Sequence, residues 1–254
     1  MKKIICAISF ILIFTGLISI IAFAENGKNS LSWYCIRTKD HSRPPLASEF
    51  GFIKDYNGYY IGKDEKVVYL TFDAGYENGN VEKTLDILKE NNVHGAFFIL
   101  SNLINTSPDL IRRMADEGHL ICNHTSKHPD MSKISDIERF KRELTALEDI
   151  CIEKTGKQLA KYFRPPEGRF NEQTLKFAQT LGYKTVFWSF AYADWNNNSQ
   201  MSESSAKDKV LSNIHNGAII LLHPTSETNV KILDGVIKEL KNQGYRFGLL
   251  DELE

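Results

Sequence analysis

Six polar side chains stand out against apolar surroundings: Asp73, His124, His128, Arg164, Asp194 and His223. Each closes or closely follows a strand-like run, as in "VVYLTFD", "HLICNH", "KYFRPP" and "AIILLHP". Two imidazoles four residues apart, in "HTSKH", can meet one metal ion if the chain turns helically between them. Each residue also has an ordinary reading. Asp73 fits a strand-end turn, His124 and His128 a pair of loop histidines, and Arg164 a surface arginine. His223 fits a core histidine satisfied by one hydrogen bond. Asp194 fits a turn acid beside a packing indole, Trp195. Dismissing them all requires five coincidences of position, because the five places follow successive strand-like runs.

The elements that must position these residues alternate from Lys66 onward. Strand-like runs are "VVYLTF", "GAFFIL", "HLICN", "KYFRP", "KTVFWSF", "GAIILLH" and "YRFGLL". Amphipathic stretches separate them. "SPDLIRRMADEG" opens with Ser107 as a cap and Pro108 in the first turn and ends on Gly118. "SDIERFKRELTALEDICIEKTG" is long and stops at Gly156. Strand and helix in alternation predict an α/β fold, with about seven parallel strands apolar on both faces and covered by helices. A barrel and an open doubly wound sheet fit this pattern equally. In both, the C-terminal strand ends share one face where active sites form.

Two segments precede this region. Residues 1–24 combine a basic start, an unbroken apolar run and "AFA" before Glu25, which reads as an export signal cleaved after Ala24. The run is also roughly long enough to span a bilayer, so an uncleaved anchor is the alternative and the only membrane contact expected. Either way the rest of the chain is expected outside the cytoplasm. Residues 25–65 read as an arm packed on the main domain, anchored by Trp33 and tyrosines, with Asn57-Gly58 predicting a β-hairpin. Residues 66–254 form the main domain. The formal net charge of −1 gives no support for nucleic-acid binding. Beyond Cys6 in the signal, Cys35, Cys122 and Cys151 are read as small buried thiols.

In their order and spacing, "TFDAG", "HTSKH", "RPPEG", "YADW" and "LLHP" resemble the five motifs of the polysaccharide deacetylases of carbohydrate esterase family four, over about residues 66 to 250. "LTFDAGYENG", together with "YNGYYIG" in the arm, is similar to one branch, the delta-lactam-biosynthetic de-N-acetylases, which act on N-acetylmuramic acid in peptidoglycan. The resemblance implies a distorted (β/α) barrel. It implies that Asp73 is the catalytic base and that Arg164 keeps it ionised and oriented. It implies that His223 is the general acid, kept protonated and aimed by Asp194. It makes His124 and His128 ligands of a divalent metal, zinc first among the candidates, that polarises the acetyl oxygen. It sets Trp195 and Leu221 in the acetyl pocket, and Glu167 and Gly168 at the edge of the site. There many members carry an aromatic at the place of Glu167, and a backbone N–H helps bind the oxyanion.

Ala74 departs from this pattern. The wider family has a second acid there that completes the metal ligands, and the delta-lactam branch typically has asparagine. The departure implies a weakened metal site, with Glu77 and Asn78 the only close polar substitutes, and extra room for a bulkier sugar. The expected function is an exported, metal-assisted de-N-acetylase of peptidoglycan glycan strands, acting on N-acetylmuramic acid as a step towards the muramic delta-lactam of spore cortex. The near rival is a deacetylase of N-acetylglucosamine polymers or of acetylated xylan. The far rival is a non-catalytic glycan-binding homologue, with Ala74 as its support. A zinc protease is the poorest reading, because "HTSKH" lacks the glutamate of H-E-x-x-H. No protein activator is identified.

Overall fold

A computed structural model describes residues 29–38 and 40–253. The export signal and its cleavage point lie outside the described residues. Strand β1 (Leu31–Ser32) and strand β2 (Gly58–Tyr59) belong to the arm. The main domain then runs β3 (Val67–Ala74), α1 (Asn80–Glu90), β4 (Ala96–Ile99), α2 (Ser101–Thr106), α3 (Pro108–Asp116), β5 (Leu120–Asn123), α4 (Ile137–Thr155) and β6 (Ala160–Phe163). It continues with β7 (Arg169–Phe170), α5 (Glu172–Thr180), β8 (Lys184–Val186), α6 (Glu203–Ser212), β9 (Ala218–Leu222), α7 (Glu227–Asn242) and β10 (Arg246–Phe247).

Eight strands form one sheet in the order β10-β3-β4-β5-β6-β8-β2, with β9 also paired to β3. Every pairing in it is parallel. The order follows the chain from β3 to β8 without reversing, so the sheet curls as a barrel rather than opening as a doubly wound sheet. Beyond β8, Phe190 bridges Ile220 in parallel, which brings the far edge of the sheet round to β9. The seven expected strands are present, and β2 is an eighth.

The two-residue period of a strand explains the layering. In β3, Val67 and Tyr69 join Phe98, Cys122 and Ile219 inside the barrel. The alternate residues Val68, Leu70, Phe72 and Ala74 join Leu85, Leu88, Ile232 and Val236 between sheet and helices. Helix α4 ends where Gly156 takes a left-handed conformation, φ 72°. Cys122 and Cys151 are buried free thiols, and Cys35 is half-buried and free.

The arm contacts the barrel through Trp33, whose ring stacks on Phe187 at 4.4 Å and on Phe50 at 4.9 Å. Strand β1 pairs antiparallel with β7, outside the main sheet. The expected hairpin at Asn57-Gly58 is not formed. Residues Ser48–Tyr56 make a 3₁₀ helix that ends on Asn57, φ 53°, and Gly58–Tyr59 pairs in parallel with β8 instead. The 3₁₀ turn eclipses positions three apart, so Phe50 and Ile53 bury together beside Phe170 and Leu175. A hairpin strand would send these two residues to opposite faces. Asparagine tolerates the left-handed conformation, so Asn57 serves as a helix end as readily as a hairpin turn.

Candidate active site

Asp73 is the seventh residue of β3 and shares the inward face with Tyr69 and Thr71. Arg164 follows β6 and reaches across the barrel interior beneath it. The guanidinium is fully buried and gives one N–H to Asp73 Oδ1 at 2.8 Å. Its other donors go to Thr71 Oγ1 at 2.9 Å and to the carbonyls of Val186 at 3.0 Å and Phe187 at 3.2 Å. The plane lies 4.1 Å from the Phe98 ring centroid. A surface arginine is thereby excluded. Burial pushes the Asp73 carboxyl up, but Arg164, ahead of the neighbouring imidazoles, outweighs it, and the group rests below the usual carboxylate range. Asp73 stays an anion, with Oδ2 turned towards His124.

His124 leaves the end of β5. Its Nδ1 lies 2.9 Å from the Arg164 carbonyl, which can only accept, so Nδ1 carries the proton and Nε2 keeps its lone pair. Nε2 sits 3.5 Å from Asp73 Oδ2. Burial holds the imidazole neutral, pushed down to about 4. The His128 ring meets it edge to face at 5.0 Å. The chain does not turn helically between the two histidines, as their spacing suggested. Thr125 (φ 73°) and His128 (φ 59°) both take left-handed conformations instead. The unusual backbone at β-branched Thr125 is held from two sides. Asn123 Oδ1 accepts its N–H at 2.8 Å, and Thr125 Oγ1 accepts the N–H of His128 at 2.9 Å.

Asp194 follows β8 and is almost fully buried. Its Oδ1 accepts from His223 Nδ1 at 2.7 Å, and its Oδ2 from the His223 backbone N–H at 2.8 Å. Asn229 of α7 also donates to Oδ2, at 2.5 Å, and to the His223 carbonyl at 3.1 Å. Tyr192 donates to Asn229 Oδ1. Burial pulls His223 down, but the hydrogen bond and charge of Asp194 outweigh it and hold the imidazole above its ordinary value. With Nδ1 committed to Asp194, Nε2 is the free nitrogen.

Asp73, His124, His128 and His223 border a cleft of about 520 Å³, which Leu221, Trp188 and Glu167 also line. A second lobe of about 350 Å³ adjoins it, and Asp73, His124, His128, Trp195 and His223 border both lobes. Trp195 is 61% exposed at the rim, its ring 6.1 Å from His223. Glu167 faces outward and pairs with Arg169 at 2.8 Å. Glu167 (φ 55°) and Gly168 (φ 65°) form a left-handed pair. The Gly168 N–H is bonded to the Pro165 carbonyl at 3.0 Å. A Cβ on Gly168 would meet Trp188 at 2.8 Å, so only glycine fits there.

Ala74 is fully buried in the helix-side layer and borders neither lobe. It follows Asp73 on a strand, so its side chain leaves the opposite face. The expectation that a small residue here makes room for a larger sugar therefore has no geometric basis. Glu77 and Asn78 do not join the histidines either. Glu77 turns back to the N–H of Gly79, and Asn78 donates to the Thr225 carbonyl at 2.9 Å. Among the described residues no group of three or more His, Cys, Asp or Glu side chains could hold a metal ion. The donor chemistry that remains is two imidazoles with the Asp73 carboxylate beside one of them. That set fits a divalent cation that takes its other ligands from water or substrate.

Three residues of the site escaped the reading of the linear pattern. Asn123 and Thr125 shape the histidine loop, and Asn229, thirty-five residues beyond Asp194, completes its shell. An asparagine ending an apolar strand, in "LICNH", was the one available signal.

The polysaccharide deacetylase family model matches residues 61–186. The chain is 42% identical over 225 residues to the peptidoglycan-N-acetylmuramic acid deacetylase PdaA of Bacillus subtilis, covering 88% of this chain and 85% of that protein. The solved structure of PdaA, a family 4 carbohydrate esterase, superposes with a TM-score of 0.86 at 41% identity, covering 89% of this chain and 97% of that one. The peptidoglycan-N-acetylglucosamine deacetylase of Bacillus cereus is 34% identical over 209 residues, covering 80% of this chain and 74% of that protein. The chain belongs to the polysaccharide deacetylase family.

Proposed function

We propose that this polysaccharide deacetylase is exported and removes the acetyl group from N-acetylmuramic acid in peptidoglycan glycan strands. The observation that carries the reading is the two side-chain couples that meet at one cleft, Arg164 with Asp73 and Asp194 with His223. An N-acetyl group is an amide. Its hydrolysis needs a base for water, help for the developing oxyanion and a proton for the leaving nitrogen. Asp73 is ionised and takes a proton as water oxygen bonds to the acetyl carbon. His223, charged and hydrogen-bonded to Asp194, gives its Nε2 proton to the nitrogen as the carbon–nitrogen bond breaks. Acetate and a free amine leave. Leu221 and Trp188 offer the methyl group an apolar wall.

A divalent cation, zinc by preference, would sit on His124 and His128 and polarise the acetyl oxygen. The neutral state of His124 and its fixed tautomer suit it to that task. The similarity to PdaA supports muramic acid as the sugar. The amine freed at C2 lies next to the lactyl carboxyl on C3, and their condensation, with loss of water, gives the muramic delta-lactam of spore cortex.

The test is incubation of the purified full chain, metal-stripped and with zinc restored, with glycan strands freed of stem peptides. Mass spectrometry then identifies the deacetylated sugar. Loss of acetyl from muramic acid supports the proposal. Loss from glucosamine alone favours the second reading, which the Bacillus cereus relative supports. Silence on both sugars overturns the enzymatic reading for this substrate.

A further inference from the structure

The arm backs the wall of the cleft, bonded to two of the residues that line it. The Trp33 N–H donates to the Gly168 carbonyl at 2.8 Å, and Arg37 donates to the Ala191 carbonyl at 2.6 Å. Both Gly168 and Ala191 line the main lobe. Residues 33–37 thus pass directly behind two of its lining residues. This segment lies outside the stretch that the family model matches.

Arg37 is exposed, and its guanidinium is held in place. One amino group is fixed by the Ala191 carbonyl, and the guanidinium carbon lies 5.6 Å from the Phe190 ring centroid. Among the described residues no carboxylate pairs with it. The two other arginines near the lobe differ. Arg164 is buried against Asp73, and Arg169 pairs with Glu167 at 2.8 Å and Asp130 at 3.4 Å. Arg37 is therefore an oriented cation with donors to spare. A fixed planar fork of this kind suits a carboxylate.

Muramic acid freed of its stem peptide carries such a carboxylate. The lactyl ether is on C3, the carbon next to the one bearing the acetamido group. The lactyl group therefore stays within a few bonds of the acetamido carbon, which Asp73 and His223 would hold between them. We infer that Arg37 is a specificity residue that binds the free lactyl carboxylate at the cleft rim. The inference rests on the muramic acid reading above. It makes the arm part of substrate choice. An amide-linked lactyl group is uncharged and gains nothing from Arg37, and glucosamine lacks the group altogether.

The experiment uses the purified full chain and two glycan substrates. One carries free lactyl carboxyls, and the other carries the same groups converted to methylamides. In the parent protein the free acid is expected to show the lower KM. Arg37→Gln is expected to raise KM for the free acid by roughly five- to tenfold, the scale of one oriented ion pair at a partly exposed site. It leaves kcat and the methylamide unchanged, so the discrimination disappears. Arg37→Lys restores part of it. If the parent deacetylates muramic acid and Arg37→Gln leaves the ratio of the two substrates intact, the role of Arg37 is overturned and the function stands. If the parent acts on glucosamine alone, the functional reading falls and the role of Arg37 falls with it.

Discussion

Asp194 holds His223 at two points. One carboxylate oxygen takes the ring N–H at 2.7 Å, and the other takes the backbone N–H of the same residue at 2.8 Å. The ring can neither rotate nor exchange its tautomer while both bonds persist. The imidazole is therefore aimed by its own backbone position as well as by its side chain.

The pH profile follows from this clamp. Activity needs charged His223, whose proton affinity Asp194 raises against the pull of burial. Activity is present below the raised value and is lost as pH rises through it. Asp194→Asn removes the charge and leaves burial dominant, so the alkaline limb moves to lower pH. We expect kcat at neutral pH to fall on the order of a hundredfold or more. An unmoved alkaline limb in kcat/KM against pH contradicts this.

Asn229 supports the clamp without touching the reacting atoms. Asn229→Ala leaves Asp194 Oδ2 with one donor fewer and frees the Tyr192 hydroxyl. Because Asn229 acts through Asp194, its loss should lower kcat by roughly tenfold, one hydrogen bond to a charged group, with KM unchanged. A rise in KM at constant kcat would instead indicate a contact with substrate.

Arg164 sets the acid side. Without it burial pushes Asp73 up, so the acid limb of kcat/KM should move to higher pH. Arg164→Lys keeps the charge but cannot bond Asp73, Thr71 and two carbonyls at once. Arg164→Met removes the partner outright, and breaking a buried pair costs about 3–5 kcal/mol. At roughly 2–4 °C per kcal/mol for a domain of this size, a thermal melt should register a large fall.

Zinc should stabilise the folded chain through the two imidazoles. Ligand at a hundredfold excess over Kd contributes about 2.7 kcal/mol. His128→Ala should abolish the rise in Tm on adding zinc while leaving the Tm in chelator close to the parent value. His128 closes an exposed loop, so little packing is lost.

Ala74→Asp tests the layer behind the site. The new carboxylate would start in an apolar layer beside Phe72 and Ile99. An unpaired buried charge should lower Tm in chelator, by several degrees for a cost of about 1–3 kcal/mol. Calorimetry in chelator checks this, and an unchanged Tm would mean the side chain escapes to the cleft.

The strand ends were legible because unbroken apolar runs, as in the continuously buried β4 and β9, stop at single polar residues whatever the detail of the fold. Asp73, His124, Arg164, Asp194 and His223 converge for that reason. The rest depends on contacts between distant segments. Asn57-Gly58 carries the same letters for a hairpin turn as for a helix end, and the burial of Phe50 and Ile53 decides between them. The meeting of His124 and His128 depends on left-handed Thr125, which no propensity favours. Arg164 resembles any arginine before proline until the barrel closes around it.

The acceptors of Arg164 have one more consequence. They come from β3, from β8 and from the residue after β8, while the arginine itself follows β6. The group that tunes the base is thus a tie across the barrel rather than a part of a mobile loop. Local fraying of the rim leaves that tie intact, and only opening of the barrel as a whole releases it. In amide exchange, the residues around Arg164 should accordingly open with the global unfolding free energy, so that Asp73 keeps its tuning for as long as the chain stays folded.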